Sequence, residues 1–69
     1  MWREKIPGTK IRLHDGLVGT VVINFETELT AEGYKLGGWS DEEGGLLVLT
    51  ADLGLVRYSK EILDLRYQA

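Results

Sequence analysis

His14 beside Asp15 is the first pair in the sequence able to move a proton. An imidazole titrates near neutral pH, and a carboxylate in reach orients it as a general base. Here the pair runs into Gly16, and a solvated turn is the ordinary setting for that triplet. Ser40 and Ser59 are the two serines. A serine nucleophile needs a base and an oxyanion site, and neither serine sits in a nucleophile-elbow motif. Ser59 reads instead as the cap of a short helical turn. Asp41, Glu42 and Glu43 offer carboxylates to a hard cation, but the alternating spacing of a calcium loop is absent. With Gly44 and Gly45 following, they read as an acidic loop tip. There is no cysteine, so disulfides, thiolate nucleophiles and thiolate metal sites are excluded. The expectation is of no catalytic residue, no metal and no cofactor.

The remaining chemistry is aromatic. Trp2, Phe25, Tyr34, Trp39, Tyr58 and Tyr67 are six rings in a small protein. Small β folds gather such rings into grooves for peptides or cations. Phe25 and Tyr67 also suit a core, because a small core uses every large side chain. Tyr34 and Trp39, the latter between Gly37-Gly38 and Ser40, are the candidate partner-binding anchors.

These side chains need a frame, and 69 residues allow one domain, residues 1–69. Nowhere do apolar residues recur at helical spacing over three turns. The nine glycines instead separate short β-rich runs. Lys10-Ile11-Arg12-Leu13 alternates as a first strand, and residues 19–25 form a second. Leu46-Leu47-Val48-Leu49-Thr50 is a third, Ala51-Asp52-Leu53-Gly54 a hairpin turn, and Leu55-Val56-Arg57-Tyr58 a fourth. Ser59-Lys60-Glu61 makes one helical turn, and Leu63-Asp64-Leu65-Arg66-Tyr67 alternates as a fifth strand. The stretch 26–45 is a long loop with one short extended piece at Tyr34-Lys35-Leu36, and long loops in small domains are often functional. The pattern predicts an all-β fold: a small five-stranded SH3-like barrel with one long acidic loop and a short helical turn before the last strand.

The net charge of −3 is unevenly placed. Residues 26–43 carry six carboxylates against one lysine, a balance of −5, and the rest of the chain is at +2. Such a segment repels phosphate backbones, so no nucleic-acid partner is expected and an accessory module for nucleic acid is disfavoured. No apolar stretch approaches the roughly 20 residues that span a bilayer, and Met1 to Pro7 lacks a secretion run. A cytoplasmic protein with no membrane partner is the expectation.

The glycine turns and core runs from Lys10 to Val22, with Trp39, Gly45-Leu46-Leu47-Val48, Gly54-Leu55-Val56-Arg57-Tyr58 and Leu63-Asp64-Leu65, resemble small uncharacterised bacterial proteins carried on mobile integron gene cassettes. That resemblance implies a fold and no activity. Glu28-Leu29-Thr30-Ala31-Glu32-Gly33-Tyr34 is similar to a loop of the plasmid-borne type II dihydrofolate reductases, which are SH3-like tetramers with one central pore. Their pore strand reads Val-Gln-Ile-Tyr, against Leu55-Val56-Arg57-Tyr58 here. Only Tyr58 is kept, and Val56 lacks the side-chain hydrogen bonds of the amide it replaces. The resemblance places Arg57 and Tyr58 beside Tyr34 and Trp39 as ligand- or partner-binding candidates. A small oligomeric pore enzyme of the reductase kind is thus the alternative to the leading reading, a non-enzymatic, self-associating binding module for a protein or small-molecule ligand.

Self-association follows from two features. A 69-residue core without cysteine has a folding balance near zero. The run 46–49 is also apolar on both faces, where an alternating strand would be polar on one. Either the long loop or a second copy must cover the outer face. With Leu46 and Val48 placed outward, beside Val22 and Leu55, these four residues form the expected interface of a homodimer or homotetramer.

Overall fold

The computed structural model describes residues 1–39 and 44–68. Ser40 and the acidic tip Asp41-Glu42-Glu43 lie outside the described residues, as does Ala69. The chain begins with a single 3-10 turn, Trp2–Glu4, then forms β1 (Lys10–Arg12), β2 (Val18–Asn24), β3 (Leu29–Thr30), β4 (Leu46–Thr50), β5 (Gly54–Tyr58) and the helix α1 (Lys60–Arg66). All pairings are antiparallel, in the order β1-β2-β4-β5, with β3 added to the upper half of β2. Among the described residues no pairing joins β1 to β5, so the sheet is not closed.

The predicted fifth strand is corrected. Residues 60–66 are helical, although Leu63, Leu65 and Tyr67 alternate. Lys, Glu, Leu and Arg are strong helix formers, and the Ser59 hydroxyl accepts a hydrogen bond from the Ile62 N–H at 3.2 Å. Glu61 in the first turn and Arg66 in the last suit the helix dipole. Leu63 is buried and anchors the helix to the core, while Leu65 stays exposed. Strand pairing survives as one bridge, Leu13 to Tyr67, flanked by His14 N–H on the Arg66 carbonyl and Gln68 N–H on the Arg12 carbonyl. The extended piece expected at Tyr34-Lys35-Leu36 is absent, and the strand of this loop lies earlier, at Leu29–Thr30.

One apolar cluster fills the inner side of the sheet: Trp2, Ile11, Leu13, Val21, Leu46, Val48, Tyr58 and Leu63. Gly19 permits the close approach of β2 to β4, because a β-carbon there would overlap the Val48 side chain and the Leu49 carbonyl. A bulge between Val21 and Ile23 inserts Val22 as an extra residue. Val21 therefore joins the inner cluster, whereas Val22 and Ile23 both join a second one on the outer side, with Phe25 and Leu47. The bulge then returns Asn24 to the inner side opposite Leu46.

Asn24 is buried and fully bonded. Its amide donates to the Arg3 and Lys5 carbonyls at 3.1 and 2.8 Å, and its oxygen accepts from the Glu26 and Thr27 N–H groups at 2.9 and 3.3 Å. One side chain thus ties the N-terminal turn to the start of the long loop. Trp2 closes the other side: its indole donates to Asp64 at 2.9 Å, while Arg3 stacks 4.3 Å from the Trp2 ring and grips both Asp64 oxygens at 2.9 and 3.2 Å.

The Arg3 and Trp2 hydrogen bonds hold the Asp64 carboxyl below its ordinary 3.8. The unfolded carboxyl takes up its proton near that value and the folded one only at lower pH. The interaction therefore stabilises the fold fully above this range and is lost as the pH falls through it. Asp64→Asn keeps an acceptor for Trp2 but removes the charge. Thermal melts from about pH 5 to about pH 2 should lose stability less steeply for this variant than for the parent. Parallel profiles would show that the contact contributes nothing.

Candidate functional site: the outer face of the sheet

The outer face divides into a covered half and an open half. On the covered half, Ala31, Tyr34 and Leu36 of the long loop pack over Val22, Ile23, Phe25 and Leu47. The loop is held by Ala31 N–H on the Val22 carbonyl, by Phe25 N–H on the Gly45 carbonyl and by Gly45 N–H on the Glu26 carboxylate at 2.9 Å. Trp39 reaches back over the same cluster, its ring 6.2 Å from Phe25 and tilted by 53°. Arg57, opposite Leu47 on β5, lays its guanidinium 3.9 Å from the Phe25 ring and donates to the Gly44 carbonyl at 3.2 Å. A cation held over a ring in this way contributes about 0.5–2 kcal/mol.

Three of the four expected partner-binding residues thus meet around Phe25: Tyr34, Trp39 and Arg57. Tyr58 does not join them. It pairs with Leu46, belongs to the inner core, and burial raises its hydroxyl pKa. Phe25 is the residue that sequence reasoning missed as the centre of this cluster. Its signal was its position at the end of the clearest strand, directly before the acidic loop. Trp39 is 40% exposed, so this platform presents one large ring to solvent.

The open half lies below. Thr20, Leu49 and Leu55 form a row across β2, β4 and β5, with Lys10 at its β1 end. Val18 and the hairpin residue Leu53 flank it. Val18 is 46% exposed, Leu49 43%, Leu53 64% and Leu55 47%. Lys10, Val18, Thr20, Leu49 and Ala51 line a shallow depression of about 480 Å³ there.

This placement corrects the expected orientation of β4. Leu46 and Val48 are fully buried in the inner core and Val22 is buried beneath the loop, so these three do not form an exposed interface. Of the four, only Leu55 is exposed. The outward residues of β4 are Leu47, which the loop covers, and Leu49, which stays exposed.

The remaining candidates are engaged in the fold or lie at its surface. His14 is exposed and bonded through its backbone. Asp15 pairs with Arg66 and accepts the Leu17 N–H at 3.1 Å, which makes it a turn and helix-end contact. Among the described residues no three His, Asp or Glu side chains come together as metal ligands would, and no helix is long and apolar enough to cross a membrane. Compared with known protein families, characterised proteins and solved structures, the chain matches none.

Proposed function

We propose that the chain is a self-associating SH3-like binding module: the open half of the outer sheet face joins a second copy, and the ring platform of Tyr34, Trp39 and Arg57 receives a protein or small-molecule ligand. The observation that carries this reading is the uncovered row of Leu49 and Leu55 between Val18 and Leu53. A contiguous apolar patch of this kind on a soluble protein marks a contact surface. A stable pair buries about 800 Å² from each copy, about a fifth of the chain's 4389 Å² surface, so the contact extends from this row over Thr20, Ala51 and the Lys10 stem. Association also adds apolar burial to a core that is small at 69 residues. The SH3-like relationship rests on the strand order, the tight β4–β5 hairpin and the helical turn that returns the chain to β1.

Light scattering at about 50 μM protein tests the association, because weak pairs still form at that concentration. The expected mass is a multiple of 7.7 kDa. Leu49→Glu with Leu55→Glu should return it to the single-chain value while the circular dichroism spectrum stays native. A parent protein of single-chain mass would refute the proposal.

A further inference from the structure

A surface that adjoins the open half, and shares Lys10 with it, gathers positive charge. Lys5, Lys10, Ile11, Arg12, Tyr67 and Gln68 line an open groove of about 280 Å³ where the chain end crosses the outer edge of β1. Lys10 and Arg12 alternate on one strand, so they share a face about 6–7 Å apart. Lys5 approaches from the N-terminal segment with its ammonium 5.9 Å from the Tyr67 ring, which holds that cation beside the groove. Among the described residues the groove is lined by these six alone, none of them acidic. Among the described residues the ion-paired carboxylates are committed elsewhere: Asp64 and Glu26 to Arg3, Asp15 to Arg66. A chain of net charge −3 thus brings three cations to one concavity that, among the described residues, no acidic side chain lines.

We propose that this groove is a binding site for a small phosphate-bearing anion, with Lys10 and Arg12 bracketing a diphosphate and Lys5 closing the third side. Two cations two strand positions apart suit a group that carries charge on both ends, and the planar guanidinium of Arg12 offers paired N–H donors to phosphate oxygens. The Gln68 amide adds a neutral donor at the rim. The volume suits a diphosphate or the phosphate end of a nucleotide. A polymer surface would need a longer basic stripe, and the acidic stretch 26–43 opposes one.

The test is an amide-resolved NMR titration of the full chain with pyrophosphate, with ADP and with adenosine as separate probes. The expected result is saturable shifts at Lys5, Lys10, Arg12, Tyr67 and Gln68 with pyrophosphate, weakening as salt rises from about 50 to about 300 mM. Equal affinity for ADP assigns recognition to the phosphates, and tighter binding of ADP adds a contribution from the nucleoside. Lys5→Gln with Arg12→Gln should weaken pyrophosphate at least tenfold. This pair leaves Lys10 unchanged, and light scattering on the variant checks that its mass matches the parent's, since Arg12 stands opposite Val18 at the edge of the proposed dimer face. No saturation by about 5 mM pyrophosphate would overturn the proposal. So would shifts centred elsewhere, an unchanged affinity in the variant, or equal binding of adenosine. A single-stranded oligonucleotide that binds far more tightly than ADP would also overturn it, by making the groove part of a polymer surface.

Discussion

Leu46→Glu should abolish folding, whereas Leu49→Glu, three residues along the same strand, should leave the fold intact. Leu46 has no exposure and sits opposite Asn24 on one side and Tyr58 on the other, inside the cluster that holds Trp2, Leu13 and Leu63. Removing the leucine forfeits about 2–3 kcal/mol of burial, and an unpaired carboxylate in that position costs several more. A domain of this size has about 3–10 kcal/mol of stability in total. Leu49 is 43% exposed, and a carboxylate there keeps most of its water. Its effect on a single chain should stay within about 0.5–1 kcal/mol. Far-ultraviolet circular dichroism at 25 °C decides the matter. A native spectrum for Leu46→Glu together with an unfolded one for Leu49→Glu would show that the strand is turned over. Leu47→Glu should also unfold the protein, although Leu47 faces the opposite side of the sheet, because the long loop buries it.

The second large effect is expected at Asn24. Asn24→Ala removes four hydrogen bonds at once and leaves the Arg3 and Lys5 carbonyls and the Glu26 and Thr27 N–H groups without that partner. Each net bond contributes about 1 kcal/mol, and a buried group left unsatisfied costs more. Partial hydration of the exposed loop groups brings the total to about 3 kcal/mol, which for a domain of this length lowers Tm by about 15–20 °C. Asn24→Asp should be no milder. It keeps the acceptor for Glu26 and Thr27 but turns a carboxylate toward two carbonyls that need a donor. Thermal unfolding followed by circular dichroism measures both variants. A Tm shift under about 5 °C for Asn24→Ala would show that the N-terminal turn is held by Trp2 and Arg3 alone.

These two variants mark where local pattern stops being informative. The strands at 10–12, 18–24, 46–50 and 54–58 follow from β-branched and apolar runs set between glycine turns, and each lies within two residues of its expected bounds. The Ala51 to Gly54 turn and the Ser59 cap are equally local, because a positive φ at Gly54 and a hydroxyl before a run of helix formers act within a few residues. The composition alone excluded thiolate chemistry.

The orientation of β4 was not legible. A strand apolar at Leu46, Leu47, Val48 and Leu49 has no alternation to read, so its facing depends on its partners. The bulge at Val22 settles it by placing Val21 inward and Val22 and Ile23 outward, a two-versus-one pairing visible only in the register with β4. The fate of residues 60–66 was ambiguous for a similar reason. Leu63, Leu65 and Tyr67 alternate as a strand would, but only Leu63 is fully buried; Tyr67 packs partly buried against the core just past the helix and Leu65 stays exposed, so helix propensity prevails over residues 60–66. Asn24 looks like any strand-end polar residue until the N-terminal turn, some twenty positions away, brings it two carbonyls. The meeting of Phe25, Trp39 and Arg57 likewise joins segments up to 32 residues apart. Side-chain types and short-range spacing therefore determined four of the five strands, the Ala51 to Gly54 turn and the Ser59 cap. Which face became core, which half of the sheet remained bare and which cations stand together depend on contacts between residues far apart in sequence, and the tertiary structure alone decided them.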